Sequence, residues 1–242
     1  MIAEAIWHDV ENGAYAADLA LWEQIASEAA GPVLELGAGI GRVALELAGH
    51  GHEVVALDSS ADLLAALRDR ADASELAVET VVADAREFDL GRRFGAVLAP
   101  MQFAHILGGR GARERTLTAV SRHLAPGGVF ATALLDEEAV PDQLTGPPPL
   151  PDVREIDGWV YSSLPIEVIR DDDGYEVRRL RQAVSPAGDL EELTDSIRLD
   201  TLSPAELEDE AATAGQIPRE RLAIPATADH VGSNLCDLEA GS

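Results

Sequence analysis

The sequence predicts a doubly wound, mostly parallel α/β sheet that gives way after its fifth strand to a small antiparallel insertion. Three observations carry this expectation. Short apolar runs alternate with helical stretches as far as residue 135, a glycine-rich turn follows the first run, and beyond residue 150 the strand-like segments follow one another through tight turns. A length of 242 residues suits one domain with an elaboration.

An opening helix is expected over 14–29, where Leu19, Leu21, Trp22, Ile25 and Ala29 form an apolar stripe. Pro32-Val33-Leu34-Glu35-Leu36 reads as the first strand, followed by a glycine-rich turn and a helix from Val43 that ends at Gly49. Val54 to Leu57 forms the second strand. Ser60 caps a helix running through Arg70, and Val78 to Ala83 forms the third strand. Phe94 to Ala99 is the fourth, Ala112 to Leu124 a helix, and Val129 to Leu135 the fifth, entered through Ala125-Pro126-Gly127-Gly128. The alternation through 135 predicts right-handed crossovers and helices on both faces of the sheet.

After Asp136 the pattern changes. Gly146-Pro147-Pro148-Pro149-Leu150-Pro151 is a stiff extended connector, because proline fixes φ and pushes its predecessor out of the helical region. Strands are expected at 159–161, 176–184 and 193–199, joined by Asp172-Asp173-Gly174 and Pro186-Ala187-Gly188-Asp189. Ser203-Pro204-Ala205-Glu206 starts a helix that stops by Gly215, and strands near 222–224 and 231–238 close the sheet.

Composition narrows the function. The net charge is −26, from 44 acidic and 18 basic residues, so the chain repels a phosphate backbone and nucleic acid is not an expected partner. Every basic residue is arginine, which removes mechanisms that need a lysine. Cys236 is the single cysteine and has no partner for a disulfide; a structural role is expected. No apolar run approaches the ~18 residues that cross a bilayer, and Met1-Ile2-Ala3-Glu4 lacks the basic start of a secretory signal, so a cytoplasmic protein without membrane partners is expected. Asp171-Asp172-Asp173 reads as a surface turn; no metal is expected.

The motif with chemical content is Glu35-Leu36-Gly37-Ala38-Gly39-Ile40-Gly41, between the first strand and its helix. Glycines there permit positive φ and close approach of backbone to a ligand, and the exposed N–H groups of the helix start are donors. Asp58, at the end of the second strand, is placed to accept both hydrogen bonds of a ribose diol, and Asp84-Ala85 follows the third strand where an adenine edge would lie. A dinucleotide fingerprint would need glycine at the sixth position from Gly37, where Arg42 stands. A salt bridge to a nearby carboxylate is the expected role of Arg42.

These residues resemble the class I S-adenosylmethionine-dependent methyltransferases, whose first motif is E/D-x-G-x-G-x-G, over about residues 5–135. The resemblance implies a Rossmann-like seven-stranded sheet and S-adenosylmethionine as cofactor. It places Gly37, Ala38, Gly39 and Gly41 along the methionine and ribose, Asp58 and Ser59 at the ribose, Asp84 and Ala85 at adenine, and Glu35 near the amino end. Pro100 and Met101, after the fourth strand, would lie beside the methionine moiety. The strand-rich insertion looks like that of small-molecule methyltransferases acting on glycine, sarcosine or amino sugars, where it covers the acceptor. An Asn/Asp-Pro-Pro-Tyr signature, as in enzymes that methylate nucleobase or glutamine amides, is absent; Ala99-Pro100-Met101-Gln102 stands there instead.

The expected organisation is a helical cap over 1–30, a cofactor-binding domain over 31–140 and 201–242, and an insertion over 141–200 acting as substrate lid or subunit contact in a monomer or homodimer. The expected activity is methyl transfer to a small-molecule N or O acceptor; the alternative is a non-catalytic S-adenosylmethionine-binding partner or sensor. An in-line transfer needs alignment above all, with a base where the acceptor is a hydroxyl. His105, Tyr15 and Gln102 are the candidates around the acceptor, Tyr15 facing the sulfonium through its ring. His8 and Glu11, in a polar-aromatic N-terminal segment, are further possible contacts.

Overall fold

A computed structural model describes residues 4–136, 150–227 and 231–241. Two helices come first, α1 (Glu4–Asn12) and α2 (Leu19–Glu28), then β1 (Val33–Leu36), α3 (Arg42–Gly49), β2 (Val54–Asp58), α4 (Ala61–Ala73), β3 (Val78–Val82) and β4 (Phe94–Ala99). A 3-10 turn at Phe103–Ile106 leads to α5 (Arg110–His123) and β5 (Leu124–Leu135). A separate run of strands follows, β6 (Asp152–Ile156), β7 (Trp159–Asp171), β8 (Gly174–Val184) and β9 (Leu190–Asp200), before α6 (Pro204–Thr213), β10 (Gln216–Pro218), β11 (Leu222–Ile224) and β12 (Ser233–Ala240).

The central sheet runs β10-β12-β5-β4-β1-β2-β3, with β3, β2, β1, β4 and β5 parallel and β12 antiparallel to β5. β10 and β11 lie end to end along the same partner, pairing with 238–240 and 233–235 of β12, so the sheet is seven positions wide. This is the expected mostly parallel, doubly wound architecture. Strand alternation sends side chains to two faces. Leu34, Leu36, Val55, Leu57 and Val97 pack with Leu117 and Val120 of α5 and Leu207 and Ala211 of α6. Val33, Val54, Ala56 and Leu98 pack with Trp22 and Ile25 of α2, Val43 and Leu47 of α3, and Leu64 and Leu67 of α4. β6, β7, β8 and β9 form a second, wholly antiparallel sheet.

Local chemistry explains the boundaries. Ser60 caps α4 by accepting from Leu63 N–H at 3.3 Å, and Ser203 with Glu206 forms a reciprocal capping box on α6, with Pro204 in its first turn. The proline-glycine turn before residue 129 interrupts the β4–β5 ladder, which pairs Phe94 with Leu124 and resumes at Ala96 with Val129.

Two expectations change. The helix expected over 14–29 is shorter, because the chain turns between Gly13 and Asp18 and α2 starts only at Leu19, and a separate helix, α1, precedes that turn. Asp18, just before α2, makes no side-chain bond to the helix start; its carboxylate is turned to Arg42 and to Trp22 Nε1. The antiparallel unit gains β6, and β7 runs to Asp171 through a register shift between Pro165 and Glu167. A bulge is where a strand tolerates proline. The connector expected from Gly146 lies, as far as Pro149, outside the described residues.

Candidate functional site

In parallel α/β sheets ligands bind beyond the carboxyl ends of the strands, and the glycine loop stands there, between β1 and α3. Gly37, Gly39 and Gly41 have φ of 65°, 55° and 87°, a region closed to most side chains. Asp58, the last residue of β2, holds the loop: Oδ2 accepts from Gly39 N–H and Oδ1 from Ser60 N–H, each at 2.8 Å. Ser59 is exposed beside it, and Ala38 is buried.

Glu35 is 3% exposed, and its Oε2 has no hydrogen-bond partner. Burial pushes its carboxyl up to about 8, while Arg42 and the Ala44 backbone pull the other way without prevailing. Arg42 is committed elsewhere, to Asp18 Oδ1 at 2.5 Å and Tyr15 C=O at 3.0 Å, which is the expected salt bridge. A buried acid with no ion pair among the described residues and one oxygen unpartnered, next to a loop of backbone donors, fits a ligand that brings a cation to Glu35 and hydroxyls to Asp58. The raised value also fixes a sign: the unfolded chain releases this proton near 4.5 and the folded chain near 8, so the empty protein loses stability as pH rises through that window. Glu35→Gln should flatten that part of a plot of unfolding temperature against pH; an unaltered slope would show that the carboxyl is not its source.

After β4, Pro100 is buried, and Met101 adopts φ of 56°, an uncommon conformation for a residue with a β-carbon. Gln102, half-buried, follows it and makes no capping bond to the 3-10 turn. Phe103 covers Gly37, where an added β-carbon would lie 2.6 Å from the ring. From the N-terminal side, α1 places His8 over Gly39 and Glu11 against the second sheet. Glu11 accepts from Ser163 Oγ at 2.7 Å and from Arg181 at 2.7 and 2.8 Å.

Three expected site residues stand differently. His105 is fully buried, its Nδ1 on the carbonyl of Asp200 at 2.8 Å and its Nε2 accepting from Leu135 N–H at 3.0 Å. With both ring nitrogens engaged it ties the 3-10 turn to β5 and the end of β9, and it has no nitrogen left to act as a base. Tyr15 is buried, and the cation over its ring is Arg42, 5.1 Å from the centroid. Asp84 lies at the expected strand end, but both oxygens bond Arg86, at 2.6 to 3.0 Å, and this pairing holds its carboxyl at about 2. An adenine contact would have to share Asp84 with that guanidinium; Ala85 is buried alongside.

Sequence reading passed over Asp18, whose role depends on contacts far along the chain. Arg179 and Arg181, which gather Glu11, Asp152, Asp195 and Ser163 on the inner face of the second sheet, were passed over for the same reason. Asp171 pairs with Arg198 at 2.6 Å, and among the described residues no group of three or more His, Cys, Asp or Glu is arranged to hold a metal. Cys236 lies buried in β12, its thiol pushed up to about 12 by burial. No helix among the described residues is long and apolar enough to cross a membrane.

Comparison with known proteins gives the following. Residues 33–128 match a family profile described as Methyltransferase domain. The CcbJ methyltransferase from Streptomyces caelestis is 26% identical, with a TM-score of 0.71, over 95% of this chain and 98% of that one. The sugar N-methyltransferase KedS8 from Streptoalloteichus sp ATCC 53650 aligns at 21% identity and a TM-score of 0.80, over 100% and 94%. The glycopeptide N-methyltransferase MtfA complexed with (S)-adenosyl-L-methionine aligns at 25% identity and a TM-score of 0.60, over 93% and 95%. No curated protein sequence matches the chain.

Proposed function

Starting from a chain that is a class I S-adenosylmethionine-dependent methyltransferase, we propose that it methylates a nitrogen or oxygen of a small-molecule acceptor bound between the glycine loop and the antiparallel sheet. The observation that carries the site assignment is the buried, uncompensated Glu35 beside a glycine loop pinned by Asp58. The acceptor class is supported by the neighbours, one a sugar and one a glycopeptide N-methyltransferase, whose likeness extends through the insertion.

S-adenosylmethionine supplies an electrophilic methyl group on a positively charged sulfur. The residues then divide the work of holding it. Glu35 offers its carboxylate to the amino group, and binding that cation returns Glu35 to its ionised state. Asp58 accepts from the ribose hydroxyls, with Ser59 beside it. Gly37 and Gly39 let the chain approach the ligand without β-carbons in the way, and Ala38 and Gly41 complete the loop. Pro100 and Met101 border the methionine end, and Ala85 with Asp84 the adenine end, where Arg86 must share the carboxylate. Gln102, half-buried after β4, is the polar candidate left for the acceptor; Tyr15 works through Arg42, and His105 takes no part in proton transfer. Catalysis rests on alignment of acceptor and methyl rather than on a dedicated base. In this reading the insertion, described from 150 to 200, covers the acceptor, the helices before residue 30 are the cap, and the rest of the described chain is the cofactor domain.

The strongly acidic surface argues against nucleic acid as acceptor, and a cytoplasmic monomer or homodimer belongs to this reading. Asp58→Ala should weaken binding of S-adenosylmethionine by about 1–3 kcal/mol, through loss of a charged acceptor and of the loop's anchor. Titration calorimetry on both proteins measures it, and an unchanged affinity overturns the assignment of Asp58. Release of S-adenosylhomocysteine with pools of amines, amino sugars and phenols tests catalysis. Tight cofactor binding with no turnover of any pool would favour the non-catalytic binder.

A further inference from the structure

We propose that His8 is a further cofactor-binding residue, brought over the glycine loop by α1 and offering its unpartnered ring nitrogen to the bound molecule. The proposal rests on the glycine loop being the cofactor site. A β-carbon added to Gly39 would lie 2.5 Å from His8 Nε2 and 2.6 Å from Cε1, so the ring lies directly against the loop's middle glycine, whose N–H is held by Asp58. The Nδ1 atom is buried and has no hydrogen-bond partner. Buried polar atoms without partners are rare enough to need an explanation. Two of those among the described residues, His8 Nδ1 and Glu35 Oε2, flank this one loop, and a single polar ligand would satisfy both.

The ring does not sit on a frayed end. Glu11, one turn along α1, bonds Ser163 and Arg181; Asp9 pairs with Arg70 of α4 at 3.1 Å and with Arg154 of β6 at 3.7 Å. Trp7 packs edge-on against Tyr161 with centroids 5.7 Å apart. α1 therefore bridges the glycine loop and the second sheet, and a ligand that engages His8 also steadies the face proposed to cover the acceptor.

The charged groups facing the ring are Glu4 and Glu11 from its own helix, Asp58 from β2 and Arg70 from α4. Burial outweighs the three acids and lowers the imidazole pKa, so the ring is neutral at neutral pH. A neutral ring accepts or donates one hydrogen bond without repelling a sulfonium; a protonated one repels it.

Titration calorimetry with S-adenosylmethionine and with the uncharged thioether S-adenosylhomocysteine tests this on the full chain, wild type, H8A and H8N, between pH 5.5 and 8. H8A should raise both dissociation constants about tenfold, the equivalent of one hydrogen bond, and H8N should recover part of the loss. In the wild type, affinity for the sulfonium should fall faster than affinity for the thioether as pH drops, a difference that H8N abolishes. Wild-type affinity in H8A overturns the proposal, since the ring then only fills space. A wild-type protein that gives no heat with either ligand instead overturns the cofactor site itself, and His8's role with it.

Discussion

Asp18→Ala should lower the stability of the chain by about 3–5 kcal/mol, the cost of leaving a buried charge without its partner. Asp18 and Arg42 expose 1% and 9% of their side chains and meet through two bonds of 2.5 and 2.8 Å. The same carboxylate accepts from Trp22 Nε1 at 2.8 Å, and Trp22 is fully buried under the sheet. One deletion thus strands a guanidinium and an indole N–H together. At roughly 2–4 °C per kcal/mol for a chain of this size, the unfolding temperature should drop by about 6–20 °C. Asp18→Asn, which keeps an acceptor but not the charge, should fall between. A shift of under about 2 °C in the alanine variant would mean that water reaches Arg42.

Gly41→Ala should be nearly as damaging, and for a reason unrelated to ligand binding. Gly41 sits at φ of 87°, and a β-carbon there would come within 2.6 Å of Leu67 Cγ and 3.2 Å of Leu45 Cγ. Leu67 is fully buried in the core between α4 and the sheet. Backbone strain of about 1–3 kcal/mol and overpacking of similar size add to roughly 2–6 kcal/mol. Gly39→Ala meets instead the ring of His8 in the crevice, so its main effect should be on cofactor affinity. Chemical denaturation and calorimetry on the two variants separate these roles; equal effects on stability would show that the loop is uniform.

The strand and helix alternation was legible because each element carries its own pattern: the buried runs of β1, β2 and β4, the cap at Ser60, the capping box at Ser203. The glycine loop was legible for the same reason, its geometry being fixed by neighbours in sequence. α1 was not, since only Trp7 and Val10 of its nine residues are buried and the rest read as a polar lead-in. His105 was misjudged because its position after β4 is local information, whereas its partners, Asp200 and Leu135, are brought to it by the fold. Arg86 beside Asp84 is near in sequence, yet no pattern states which of several arginines a surface acid will take. β6 escaped notice as five residues with an alternating half-exposed pattern and no strong apolar run.

Cys236 lies in β12 with 1% of its surface exposed, and burial pushes its thiol up to about 12. Thiol reagents should therefore pass over the native chain at neutral pH. A second cysteine placed on an outward position of the antiparallel sheet, such as Val160, would become the sole site for a fluorophore or spin label. Movement of that sheet against the glycine loop could then be followed by spectroscopy without first removing the native sulfur.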